Sequence, residues 1–180
     1  MSDPLKTQLL KKSIIPFIYE VDYDRGMPKP ADAVAPAGLR ESALTDDVSF
    51  LLARANAIAL AAGNAALAAH GLKARSYSVL VLASGDARPS QRELAEFLRL
   101  DPSQVVSLVD ELQSRSLVER LPDPSDRRAN VVVATEAGRA LVAAARESAQ
   151  AAEERVHAQL TASERAALTA LLRRLAFPED

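Results

Sequence analysis

The sequence predicts a mainly α-helical chain with one small β-hairpin, and three observations carry that prediction. Alanine, leucine and valine supply much of an apolar fraction of 48%, against three Tyr, four Phe and no Trp, and alanine and leucine favour helices. Helix-start residues recur at Ser90, Asp101, Thr135 and Thr161, each ahead of apolar residues at helical spacing. Between the second and third of these, Leu117 to Leu121 and the β-branched run Val131-Val132-Val133 flank a stretch rich in Pro and Asp. Such a stretch presets a turn, and the runs on either side suit a pleated hairpin.

Composition sets the outer bounds. A chain of 180 residues fits one ordinary domain, or one small domain with an extension. The absence of cysteine excludes disulfides, thiolate metal sites and cysteine redox sensing. No apolar run reads as a membrane span, and the N-terminal stretch, with Pro16 and acids soon after, lacks a signal-peptide pattern. A soluble cytoplasmic protein is expected. His70 and His157 are the only histidines, and there is no Gly-rich phosphate loop. The pairs Asp46-Asp47 and Glu153-Glu154 fall on expected helix ends or solvated faces. No catalytic residue, metal site or cofactor is therefore expected, and the chain does not read as an enzyme.

The elements follow in order. Residues 1–44 form a separate N-terminal arm. Leu5, Leu9, Leu10 and Ile14 mark a short amphipathic helix that Pro16 ends or kinks. Phe17, Ile18, Tyr19, Val21 and Tyr23 then make an apolar patch, and Pro28, Pro30 and Pro36 an extended linker. The arm either packs on something, such as a partner subunit or a ligand, or is only partly ordered. Thr45 or Asp46 caps a helix to about Ala69 that carries Phe50, Leu51, Leu52, Ile58, Leu60 and Leu67, and Gly71 ends it. A second helix runs from about Ala74 to Ser84, bearing Tyr77, Val79, Leu80 and Leu82.

Ser90-Gln91-Arg92-Glu93 is a capping box, in which the Ser hydroxyl accepts the Glu93 amide while Glu93 reaches back. The helix it opens turns Leu94, Ala95 and Leu98 inward. Asp101-Pro102-Ser103-Gln104 opens the next, with Asp as cap and Pro in the first turn. Val105, Leu108, Val109 and Leu112 form its buried face. Thr135 caps a long Ala/Glu/Arg helix to about Leu160, and Thr161-Ala162-Ser163-Glu164 caps a last helix with Leu168, Leu171, Leu172 and Leu175.

Two short capped helices joined at Arg99-Leu100 and followed by a hairpin make a winged helix-turn-helix, in which the second helix enters the major groove. With the buried face of helix 102–115 removed, Ser103, Gln104, Val106, Ser107, Asp110, Glu111 and Ser114 remain outside. Gln pairs an adenine edge, Ser reaches base or phosphate, and an exposed Val suits a thymine methyl; the plainer reading is a solvated helix face. Arg127 and Arg128 sit at the hairpin turn, where the minor groove or the phosphate backbone can pair them. Charge runs against this reading. The net charge is −2, and residues 72–134 hold nine Lys/Arg and nine Asp/Glu, so binding depends on where the arginines sit.

Glu93-Leu94-Ala95, Val105, Leu108-Val109-Asp110, Leu112, Leu117-Val118-Glu119-Arg120, Asp123-Pro124-Ser125-Asp126-Arg127-Arg128 and Thr135-Glu136-Ala137-Gly138 stand in an order and spacing that resembles the MarR family of transcriptional regulators. The resemblance is specific from Arg88 to Leu141 and continues more weakly from about Leu51 to Leu175. It implies a winged helix-turn-helix domain at 72–135 and a helical dimerisation domain built from 45–71 and 136–180. It further implies a homodimer that binds double-stranded DNA at a pseudo-palindromic operator.

By this resemblance Asp126 supports Arg128 in the minor groove, Arg127 is free for phosphate, and the DNA-facing set is Ser90, Gln91, Arg92, Ser103, Gln104, Val106, Ser107, Arg115, Arg127 and Arg128. A surface ion pair is the plain alternative for Asp126 and Arg128. Family members commonly bind small aromatic acids, phenols or lipophilic drugs between the dimerisation helices and the winged module. The implied function is a repressor released by such a small-molecule effector, with Phe50, Arg54, His70 and Tyr77 as candidate ligand-binding residues. Core packing and a helix end are the plain readings of those four.

Four positions depart from the family pattern. Arg99 and Ser116 occupy positions where glycine is usual, so an Arg at positive φ is one expected outcome at the first. Ser107 and Glu111 stand where basic residues are often found. Weak non-specific affinity and reliance on the wing, Arg92 and Arg115 are the expectation. The alternative function is a winged-helix interaction module that dimerises without specific DNA binding.

Overall fold

The computed structural model describes residues 37–123 and 129–178. The expected arm helix and aromatic patch, and the turn residues Asp126, Arg127 and Arg128, lie outside the described residues. The chain divides into two compact units, Met1–Ala61 and Ala62–Asp180.

In the first unit two short 3-10 turns, Ala37–Leu39 and Ala43–Asp46, lead into helix α1, Val48–Leu67, whose residues 62–67 fall in the second unit. Its cap is Asp47, not the expected Thr45 or Asp46: Asp47 Oδ1 accepts from Phe50 N at 2.7 Å. The 3-10 turn takes in both expected residues, Thr45 Oγ1 donates to Ser42 O at 2.7 Å, and Asp47 is the extended residue at which α1 begins. Leu51, Leu52 and Ile58 on α1 are exposed. The stretch Val48–His70 is long and apolar enough, by length and composition, to cross a membrane, with a mean hydropathy of 1.4 over its best window. This corrects the expectation that no apolar run reaches that length. The reason is alanine, which counts as apolar in a hydropathy average while each residue hides little surface.

The second unit holds α2 (Ala74–Ala83), α3 (Gln91–Leu98), α4 (Pro102–Ser114), β1 (Val118–Pro122), β2 (Asn130–Ala134), α5 (Glu136–Val156) and α6 (Ala162–Ala176). The strands pair antiparallel from Val118 with Ala134 to Pro122 with Asn130. A further bridge joins Ser90 to Val131, and Val132 N donates to Pro89 O at 2.8 Å. The segment entering α3 thus covers the free edge of β2, and Val131 and Val132 are both buried.

One core gathers these elements. Val79 and Leu80 of α2, Leu94 of α3, Val105, Val109 and Leu112 of α4, Val118 and Val132 of the hairpin and Ala145 of α5 are all buried. Each Val or Leu among them stabilises the fold by roughly 1.5–3 kcal/mol relative to exposure. Thr135 Oγ1 accepts from Gly138 N at 3.0 Å to start α5. Gly138 is required there by close approach, since a Cβ would lie 2.1 Å from Leu117 O.

Three helices in this unit end alike. Gly71, Arg99 and Ser116 lie at φ 63, 52 and 57. The next residue, Leu72, Leu100 or Leu117, donates its amide back to Leu67 O, Ala95 O or Leu112 O at 3.2, 3.1 and 2.9 Å. These left-handed ends satisfy the terminal carbonyls and tuck a leucine under the helix. Only the first uses glycine. Arg99 adopts the positive φ expected of it, and Ser116 does the same, at a cost of roughly 1–2 kcal/mol each.

Candidate nucleic-acid interface

The interface is built outward from the two helix caps. Ser90 Oγ accepts from Glu93 N at 3.2 Å, and Glu93 Oε2 accepts from Ser90 N and Oγ at 2.7 and 2.8 Å. The backbone hydrogen bond from Ser90, then that from its hydroxyl, hold the Glu93 carboxyl below its ordinary range. At α4, Asp101 Oδ1 accepts from Ser103 N at 2.7 Å and from Ser103 Oγ. The Ser103 side chain, then its amide, lower the Asp101 carboxyl in turn. Both caps are therefore ionised at neutral pH, at helix starts where negative charge is favoured.

With Val105, Val109 and Leu112 turned inward, α4 leaves Ser103, Gln104, Val106 and Ser107 exposed along its first turns. Val106 is 40% exposed, an apolar side chain with no place in the core. The Gln104 side chain has no hydrogen-bond partner among the described residues, its backbone amide donating to Asp101 O at 3.0 Å, while Ser107 Oγ donates to Ser103 O at 3.0 Å. Arg92 is exposed on α3 and pairs with Glu96 at 2.8 Å. That hydrogen bond, then the charge of Glu96, raise the Arg92 guanidinium above its ordinary value.

Arg120, to which the sequence reading gave no role, lies at the centre of the module. Its Nε donates to Gln91 Oε1 at 2.8 Å, its Nη2 to Asp110 Oδ1 at 2.6 Å and its Nη1 to Gln113 Oε1. One guanidinium on β1 thereby joins the start of α3 to two turns of α4. Its partners lie 7, 10 and 29 residues away on other elements, beyond the reach of cap or periodicity patterns. Glu111 also has an arginine, Arg115, at 3.6 Å. Both acids on the outer side of α4 are thus paired, and each pairing engages an arginine as well, so the charge balance of the module is unchanged.

The hairpin closes at Asp123 N to Ala129 O, 2.9 Å. Residues 124–128 span the gap, so the structure describes the base of the wing but not Asp126, Arg127 or Arg128.

Sequence and structure comparisons agree with this architecture. A profile of the MarR family matches residues 70–129. A MarR-family transcriptional regulator from Rhodococcus sp. RHA1 is 43% identical, covering 77% of this chain and 99% of its own, with a TM-score of 0.69. The chain belongs to the MarR family. CouR from Rhodococcus jostii RHA1, solved bound to p-coumaroyl-CoA, is 44% identical over 77% of this chain and 98% of its own, with a TM-score of 0.68. The HTH-type transcriptional repressor NicR from Pseudomonas putida is 38% identical over 86 residues, 48% of this chain. The match spans 54% of NicR, about half of that relative.

The remaining candidate residues of this MarR-family chain have settings of their own. Arg115, expected at DNA, donates through Nη1 to Gly71 O at 2.7 Å. Among the ligand candidates, Phe50 is half-buried and Arg54 exposed on α1, in the first unit. In the second, His70 Nε2 meets Ser148 Oγ at 3.1 Å, and half-buried Tyr77 packs against the core. A separate cleft of about 690 Å³ opens between α5 and α6, lined among others by Glu153, His157, Arg165, Leu172 and Phe177. The sequence reading named no site there.

Proposed function

We propose that this chain is a homodimeric repressor that binds double-stranded DNA at a pseudo-palindromic operator and is released by a small aromatic or phenolic ligand. The observation that carries the DNA reading is the capped pair α3–α4. It leaves Ser103, Gln104, Val106 and Ser107 exposed beside a hairpin whose loop holds Arg127 and Arg128. In this reading α4 enters the major groove with those four side chains toward base edges. Ser90, Gln91 and Arg92 approach the phosphates, and Arg128, supported by Asp126, enters the minor groove with Arg127 on the backbone.

The dimer reading draws on α6. Every residue from Ala162 to Ala176 is exposed, including Leu168, Leu171, Leu172 and Leu175. A second copy covering this face explains leucines that the described residues leave in water. The ligand class is supported by the p-coumaroyl-CoA bound to CouR, and the repressor role by the match to NicR.

The test is a titration of the full chain with DNA from its own promoter region at several salt concentrations. Specific affinity should fall steeply with salt, and Arg128→Ala should weaken it by roughly 1–3 kcal/mol. If no fragment outcompetes bulk DNA at moderate salt, the regulator reading fails and the interaction module takes its place. An aromatic acid or its thioester that releases the DNA must itself bind less tightly in the presence of DNA, by the same factor.

A further inference from the structure

Arg115 caps the C-terminal end of α4 at φ −91 and ψ 7. Its position suggests a cation for phosphate, yet its side chain is turned back into the protein and only one-third exposed. Nη1 donates to Gly71 O at 2.7 Å, across 44 residues of sequence, and Glu111 Oε1 lies 3.6 Å from the same nitrogen as an ion pair. Gly71 is the left-handed residue that ends the 3-10 turn Ala68–His70 after α1, and its carbonyl has no helical partner of its own. The fit is close: a Cβ on Gly71 would lie 3.2 Å from Arg115 Nη2.

The same corner is tied a second time. His70, the residue before Gly71, meets Ser148 of α5 at 3.1 Å. One short turn therefore holds the end of the DNA-reading helix on one side and the long helix α5 on the other. A guanidinium engaged by a backbone carbonyl and a carboxylate is set by those partners and is poorly placed to follow a phosphate.

We propose that Arg115 is a positioning residue that fixes the angle of α4 against the Ala68–Gly71 corner, and does not neutralise DNA phosphate. The proposal rests on the DNA-binding reading above, and goes beyond it by removing one cation from the contact surface and assigning it to the frame. It also makes the corner a point through which a shift in α5 reaches α4.

The decisive measurement is operator affinity as a function of salt for the full chain and for Arg115→Met. A positioning role lowers affinity at fixed salt by on the order of tenfold, with the slope of log K against log salt unchanged. A phosphate contact in each subunit instead makes the slope shallower by about two, and that result overturns the proposal, as does unchanged affinity. A double-mutant cycle with Gly71→Ala adds a second readout. The two changes should be strongly non-additive if they break one link, and independent if they do not.

Amide hydrogen exchange on the free protein separates this proposal from the reading beneath it. Arg115→Met should speed exchange at Leu72 and at Ser116, which follow the two tied ends, whether or not the wild-type chain binds any DNA. Unchanged exchange at both overturns the proposal even where operator binding is intact. Failure of the wild-type chain to bind DNA, with faster exchange in the variant, overturns only the DNA reading.

Discussion

Helices α4 and α6 carry similar sequence patterns and meet opposite fates. Each is opened by a polar cap, runs 13 and 15 residues respectively, and bears an apolar seam at helical spacing. In α4 the seam disappears: Val105, Val109 and Leu112 are 0% exposed. In α6 it stays in solvent, with Leu171 at 55% and Leu175 at 67%. Periodicity says that a helix has a face to bury. It does not say whether the surface that covers it belongs to the same chain. The difference marks α4 as part of a core closed within the chain, and α6 as the exposed face that the proposed dimer would cover.

Truncation within the two seams gives the largest expected effects. Leu112→Ala should destabilise the folded chain by roughly 2–5 kcal/mol, to the same extent at every protein concentration. A loss that shrinks as concentration rises would mean that α4 too depends on a partner. Leu171→Glu should leave the winged core folded and weaken self-association by more than about tenfold, since each copy loses a buried leucine and gains a charge. Its melting temperature should then lose the concentration dependence expected of the wild-type protein. Sedimentation at two concentrations checks this, and an unaltered association constant would falsify the assignment of α6 to the dimer face.

Acidification probes the caps of both regions with a smaller expected effect. Glu93 lies ahead of α4, in the cap of α3, and Glu164 in that of α6. Both are held below the ordinary carboxylate range by hydrogen bonds from the backbone, then the hydroxyl, of Ser90 and of Thr161 respectively. A lowered folded value means that each contribution is complete above the ordinary carboxylate range, about 4–4.5. It is then lost as the pH falls through the lower folded values. Thermal stability should be insensitive to these groups between pH 7 and 5 and should drop below about pH 4. Glu93→Gln and Glu164→Gln should each flatten part of that drop. Identical acid profiles for wild type and both variants would show that the boxes contribute no linkage.

Much of the fold is legible in the sequence because its signals are local. Ser90 and Glu93, or Thr161 and Glu164, lie three residues apart, and a capping box needs nothing more distant. The left-handed helix ends are half legible. Gly71 announces its conformation, whereas Arg99 and Ser116 stand out only through comparison with the glycines usual in the family. The cap of α1 is Asp47 and not Thr45 or Asp46, because a 3-10 turn takes in both of those residues before the helix begins. Asp126, Arg127 and Arg128 are legible as chemistry alone, since their positions lie outside the described residues.

What the sequence determined by itself is the set of elements, their order and the outward residues of α4, because caps, periodicity and turn chemistry act over a few residues. Tertiary structure decided which acceptors each arginine meets. Arg115 and Arg120 look alike in sequence to the arginines expected at DNA. Folding gives Arg120 to Gln91, Asp110 and Gln113, and Arg115 to Gly71. A guanidinium takes whichever acceptors the fold brings within reach, and those come from residues up to 44 positions away. The same holds for the leucines of α6: their spacing follows from the sequence, but only the folded chain shows them exposed among the described residues.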